Sequence, residues 1–197
     1  MNFFYYKTLI YPQPRIKVLK KEIFNNLPIV QIKKEDFYIY IRSGDIFMDN
    51  NPHPEYIQPP LCYYRKILDN LIFNKIYLIS ENNHNPVVDK LLNYYTFIIY
   101  NKNSIQLDIA YLVNAFNIIG GGVSSFFNQI ILLNDNLQIL YKYNMQYKSE
   151  LNAKKFNTRI TNGKTIFEIF TSKEYLNNIY PWRNSKKQRE FMISFVC

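Results

Sequence analysis

Glycine is scarce in this chain, with five residues in 197, so those retained are expected to answer to backbone geometry that no other residue tolerates. Cysteine is scarcer still. Cys62 and Cys197 alone provide no disulfide framework and no zinc-ligand spacing, and Cys62, inside an apolar helical pattern, reads as a small buried residue. Long hydrophobic runs are missing: no stretch approaches the ~20 apolar residues that a membrane-spanning helix needs. The N-terminus lacks the successive basic, apolar and small-residue zones of a signal peptide. As written, the chain reads as soluble, cytoplasmic and unexported.

What is present is apolar and aromatic. Hydrophobic residues make up 48% of the chain, including 18 Tyr and 15 Phe, which fits a globular domain with its own core. Asn, Ile, Lys and Tyr recur throughout, the bias of AT-rich coding. The net charge of +9 would attract an anionic partner, but the lysines are scattered. Only short clusters such as Lys20-Lys21 and Lys186-Lys187 occur, and these read as solvated surface. No nucleic-acid partner is expected from them.

The middle of the chain alternates strand and helix patterns. Residues 37–41 (FYIYI) form a continuous apolar run suited to a strand buried on both faces. An Asn- and Pro-rich loop covers 49–60, and 61–73 carry helical spacing with Leu61, Tyr64, Leu68, Leu71 and Ile72 on one side. Strands are predicted at 75–80, 96–100, 117–119 and 137–141. Helices fall between them: Pro86 to Leu92, then from the N-cap Ser104 to about Phe116 with Ile105, Ile109, Leu112 and Val113 buried, then from Ser124-Ser125 to about Leu133. A hairpin over 165–170 turning at Asn162-Gly163, and a terminal helix anchored by Trp182, complete the reading. This alternation predicts an α/β fold, a parallel sheet covered on both faces, whose ligands bind at the carboxyl ends of the strands. Arg42, Glu81 and the 120–125 turn all fall there.

Four groups of residues could carry chemistry. Arg42, directly after the first strand, offers a guanidinium fork that matches phosphate oxygens, and Ser43-Gly44 let the chain turn with amides available to an anion. Asp45 would orient Arg42, or the two form a structural pair. The run Gly120-Gly121-Gly122-Val123-Ser124-Ser125-Phe126 places glycines and hydroxyls before a helix N-terminus, which suits phosphate, although Ser124 equally suits an ordinary N-cap. It is neither a P-loop nor a dinucleotide fingerprint. Asp108 could accept hydrogen bonds from a base or ribose, or serve as a first-turn acid. In the loop before the second helix, His53 and Glu55 are the titratable pair suited to acid–base chemistry. His84, near Glu81 and Asp89, has no metal-site spacing.

In order and spacing, the strand with Arg-Ser-Gly-Asp at 42–45, the helical Asp108 and Ser-Ser-Phe at 124–126 resemble the donor-binding half of GDP-fucose-dependent fucosyltransferases. The likeness is to the α1,2/α1,6 and protein O-fucosyltransferase superfamily and covers roughly residues 37–140. It implies a Rossmann-like parallel sheet with helices on both faces, the donor half of a GT-B glycosyltransferase. Tyr40 stands where many members carry His, two residues before the Arg. The implied donor site is Tyr40, Arg42, Ser43, Gly44, Asp108, Gly122, Ser124, Ser125 and Phe126. Within it, Arg42 meets the β-phosphate and is catalytic, Asp108 binds the nucleoside and the serines add phosphate contacts. The expected donor is GDP-fucose or another nucleotide sugar, the acceptor a glycan or protein hydroxyl, with no metal or other cofactor implied. The resemblance also implies residues 1–36 as a lead-in or remnant of an acceptor domain, 37–145 as the nucleotide-sugar domain and 146–197 as an extension packed on it. A separate chain would then supply the acceptor half, or the sequence is part of a longer secretory-pathway (Golgi or ER) enzyme, or it is a degenerate donor domain that kept the scaffold without catalysis.

Overall fold

Residues 37–41 are buried on both faces of a sheet because they lie in one of its interior strands. The computed structural model describes residues 24–147 and 155–197; the start of the predicted lead-in, with Lys20-Lys21, lies outside these. Seven strands are present among the described residues: β1 (Phe37–Tyr40), β2 (Ile76–Ile79), β3 (Ile98–Tyr100), β4 (Asn117–Gly121), β5 (Ile139–Tyr147), β6 (Asn157–Thr161) and β7 (Lys164–Thr171). They form one sheet in the order β3-β2-β1-β4-β5-β7-β6. All neighbours pair in parallel except β6, which turns back on β7 through Asn162-Gly163, both at positive φ (51° and 74°). The helices are α1 (Asp45–Met48), α2 (Leu61–Leu68), α3 (Pro86–Tyr94), α4 (Ile105–Asn114), α5 (Ser125–Leu133), α6 (Lys173–Ile179) and α7 (Lys186–Ser194).

Successive β1 side chains point to opposite faces. Phe37, Ile39 and Ile41 pack with Tyr64 and Ile67 of α2, Val88 and Leu91 of α3, Tyr175 of α6 and Met192 of α7. Tyr38 and Tyr40 pack with Leu112 and Val113 of α4 and Phe127 and Ile130 of α5. Both faces are therefore apolar, and the run does not alternate. The chain winds outward from β1 to β3, then crosses back to lay β4 on the other side of β1. The connections after β1 and β4 thus diverge, leaving a crevice between the carboxyl ends of these strands. The fold is a Rossmann-like α/β fold.

Several expectations are corrected. The second helix ends at Leu68, capped by Asp69, and Ile72 is 96% exposed because the chain has left the helical register. Ile105 is 58% exposed, being the first residue of α4 and ahead of the buried stripe. The strand expected at 137–141 runs on to Tyr147, held by β4 on one side and β7 on the other. Gly120 and Gly121 belong to β4; a Cβ on Gly121 would stand 2.6 Å from the Tyr143 carbonyl oxygen.

The cysteines overturn their prediction outright. Cys62, half-buried at the start of α2, is disulfide-bonded to Cys197, with Cα atoms 5.7 Å apart. Their sequence separation of 135 carries no framework signal; the packing of α7 against α2 brings them together. Trp182 lies between α6 and α7, fully buried, and its indole Nε1 donates to the Ile46 carbonyl (3.0 Å) while its amide donates to Pro54 (2.9 Å). Tyr175 donates through its hydroxyl to the Gln58 carbonyl (2.8 Å), and Arg189 donates to the carbonyls of Phe47 and His84. The C-terminal segment therefore braces the loop that follows β1. No helix among the described residues is long and apolar enough to cross a membrane.

Candidate functional site

A cavity of about 340 Å³ opens across the carboxyl ends of β1 to β4. That volume lies at the lower end of the ~300–1,000 Å³ typical of small-molecule sites. Its walls include Tyr40, Arg42, Ser43 and Asp45 from β1 and its loop, Ile79 and Glu81 from β2, Asn103, Ile105 and Asp108 at the start of α4, and Ser124, Ser125 and Phe126 at the start of α5.

Arg42 is held in place before any ligand arrives. Its guanidinium lies over the Tyr56 ring, 4.3 Å from the centroid, and donates to the Val123 carbonyl at 2.9 Å. Asp45 approaches at 3.5 Å but is itself 71% exposed, against 18% for the arginine side chain. Of five N–H donors, one is committed to Val123, which leaves others for an anion. Gln58 supports the same carbonyl through Nε2 (3.2 Å), and the Val123 amide donates back to Ile57 (3.2 Å). The loop after β1 and the turn after β4 are therefore stitched together at Arg42.

The Ser43-Gly44 turn is fixed by Asn82, whose Oδ1 accepts from the Ser43 hydroxyl (2.6 Å) and the Gly44 amide (3.2 Å). Gly44 sits at φ 66°, the left-handed region, and a Cβ there would overlap the Glu81 carboxylate. Its amide and the Ser43 hydroxyl thus serve the loop and not an open anion nest.

Ser124 caps α5, accepting from the Phe127 amide at 3.1 Å, and shares a 3.3 Å hydrogen bond with the Tyr40 hydroxyl. Tyr40 stacks flat on Phe127 (5.3 Å) and tilts against Phe126 (5.4 Å). Burial, above all, pushes its hydroxyl pKa up, so it stays a neutral hydrogen-bonding group. Ser125, by contrast, is exposed at the first position of a nine-residue helix, where the positive end of the helix dipole favours an anion. Gly122 does not line the cavity. At φ 78° it lets the chain pass Gln58, whose Oε1 a Cβ would meet at 2.7 Å.

Asp108 faces the cavity from α4, 9% exposed, accepting from Asn103 Nδ2 at 3.0 Å. Burial raises its carboxyl pKa, and the Asn103 hydrogen bond only partly opposes that. A raised folded-state value means the carboxyl burdens the fold at neutral pH: its contribution is intact below the unfolded-state value of about 3.9 and is lost as pH rises through the folded value. The Asp108→Asn variant is therefore expected to melt above the parent at pH 7, with the gain vanishing near pH ~3. Melting curves across that range check it; an unchanged or lower midpoint at pH 7 would contradict it.

His53 and Glu55 are exposed and do not line the cavity. The His53 ring packs against Tyr56 (5.2 Å), and its Nδ1 accepts from the Glu55 amide (3.3 Å), so the pair shapes the loop under Arg42. Sequence reasoning missed Tyr56, Gln58 and Asn82, which fix the arginine and its turn, and Ile105, an exposed apolar shelf beside Asp108. The only sequence signal for the first two was the proline-stiffened loop that carries them.

The architecture and site together define a Rossmann-like α/β protein with a polar crevice at its topological switch point, in which Arg42 is held in place beside three carboxylates. No family model, curated protein or solved structure matches the chain.

Proposed function

We propose that the crevice binds a nucleoside diphosphate sugar and that the chain is the donor-binding unit of a fucosyltransferase-like glycosyltransferase. GDP-fucose is the preferred donor, and a glycan or protein hydroxyl the acceptor. The observation that carries this reading is Arg42, locked between the Tyr56 ring and the Val123 carbonyl at the end of β1, opposite the start of α5. Departure of a sugar builds negative charge on the diphosphate. A guanidinium already in place, with the α5 dipole behind it, stabilises that charge more in the transition state than in the ground state. Ser125 and the first amides of α5 would hold the phosphates, and Asp108 with Ile105 the nucleoside. The order of Arg-Ser-Gly-Asp, Asp108 and Ser-Ser-Phe supports the family choice.

A second reading, a nucleotide-binding domain without turnover, is favoured by one observation: His53 and Glu55 lie outside the cavity, so no acceptor-activating base among them faces it. Incubation with GDP-fucose and a panel of glycan and peptide acceptors separates the two. Acceptor-dependent release of GDP is the expected result; tight GDP binding with no transfer to any acceptor would select the second reading.

A further inference from the structure

Three carboxylates line the cavity: Asp45, Glu81 and Asp108. Asp45 pairs with Arg42 at 3.5 Å and Asp108 accepts from Asn103 at 3.0 Å. Glu81 alone of the three has no hydrogen bond or ion pair among the described residues, although it stands exposed within an anion site. Its position is nevertheless set. It follows β2 directly, between Ser80, which donates to the Asn82 carbonyl (2.8 Å), and Asn82, which grips the Ser43-Gly44 turn. Its carboxylate lies against the bare Cα of Gly44, in space that any other residue's Cβ would occupy. A carboxylate so placed, accepting only, is suited to hydroxyl donors and unsuited to phosphate.

The strand order says which hydroxyls. Neighbouring strands are about 4.8 Å apart, so β4, β1, β2 and β3 lay out the cavity floor in that sequence. Arg42 and Ser125 hold the β1/β4 end, Asp108 and Ile105 the β3 end, and Glu81 projects from β2 between them. A nucleotide is built in the same order: phosphates, sugar, base. We propose that Glu81 receives the ribose diol of the bound nucleoside diphosphate, its two carboxylate oxygens accepting from the 2′- and 3′-hydroxyls. This rests on the nucleotide reading above and adds a ribose subsite to it.

Calorimetry with GDP and 2′,3′-dideoxy-GDP on the parent chain, Glu81→Ala and Glu81→Gln provides the test. The parent is expected to bind the dideoxy ligand about ten- to a hundredfold more weakly, since charge-assisted hydrogen bonds are lost. Glu81→Ala should bind both ligands within about twofold of each other, with Glu81→Gln in between. Because Glu81 is exposed, neither substitution disturbs the core. Undiminished discrimination in Glu81→Ala, or equal binding of both ligands by the parent, overturns the ribose assignment while leaving the nucleotide site standing. Failure of the parent to bind GDP at all is the distinct outcome that removes the nucleotide reading, and the ribose subsite with it.

Discussion

Arg42→Ala is expected to lose GDP binding and, in a turnover assay, to cost about 3 kcal/mol of transition-state stabilisation, roughly a hundredfold in rate. The loss has two sources. The guanidinium is the cation that the folded chain presents at the β1/β4 crevice, so its removal leaves the α5 terminus to face the diphosphate alone. It also ties Val123 to the β1 loop, and its absence leaves that carbonyl to Gln58 among the described residues. Arg42→Lys discriminates between these effects. A lysine restores charge but not the planar fork or the stacking on Tyr56, so it should recover a minority of the lost affinity. Full activity in Arg42→Ala would exclude the assignment.

The second large effect concerns stability. Breaking the Cys62–Cys197 bridge, by reduction or by Cys62→Ala, is expected to lower the unfolding free energy by about 3–5 kcal/mol. Closing a loop across a sequence separation of 135 removes much denatured-state freedom, and the chain-entropy relation puts the ceiling near 5 kcal/mol. For a chain of this length that corresponds to a melting point lower by on the order of 10 °C, readable by calorimetry with and without a dithiol reductant. Because α7 carries Arg189, and Trp182 and Tyr175 precede it, the loosened end should also lower ligand affinity through the loop under Arg42. An identical melting point in both redox states would show that the bridge contributes nothing to the fold.

The sheet could be read from the sequence where burial left one solution. β1 was legible because five consecutive apolar residues fit only a strand covered on both faces, and the Asn-Gly turn of the β6/β7 hairpin because both positions need positive φ. Arg42, Asp108 and Ser124–Phe126 were legible as candidates through their places at strand and helix ends, and the fold gathers them at one cavity. The rest depended on contacts between distant segments. Nothing in the spacing of Cys62 and Cys197 announces that α7 returns to α2. The division of labour between Ser124 and Ser125 needed the hydrogen-bond partners: the first is spent on Phe127 and Tyr40, the second faces outward. Gly122 reads as a phosphate-binding glycine, yet its conformation answers to Gln58 behind it. Glu81 sits at a strand end like many acids, and what sets it apart is that its carboxylate lines the cavity with no hydrogen bond or ion pair among the described residues.

The proposal that Arg42 anchors a GDP-sugar is tested most directly by titrating the parent chain and Arg42→Ala with GDP, UDP and single-stranded RNA at two salt concentrations. The expected result is saturable GDP binding by the parent, weaker UDP binding, and loss of both in Arg42→Ala. Binding of RNA alone, steeply salt-dependent and indifferent to the substitution, would contradict the account and reassign the basic surface to nucleic acid.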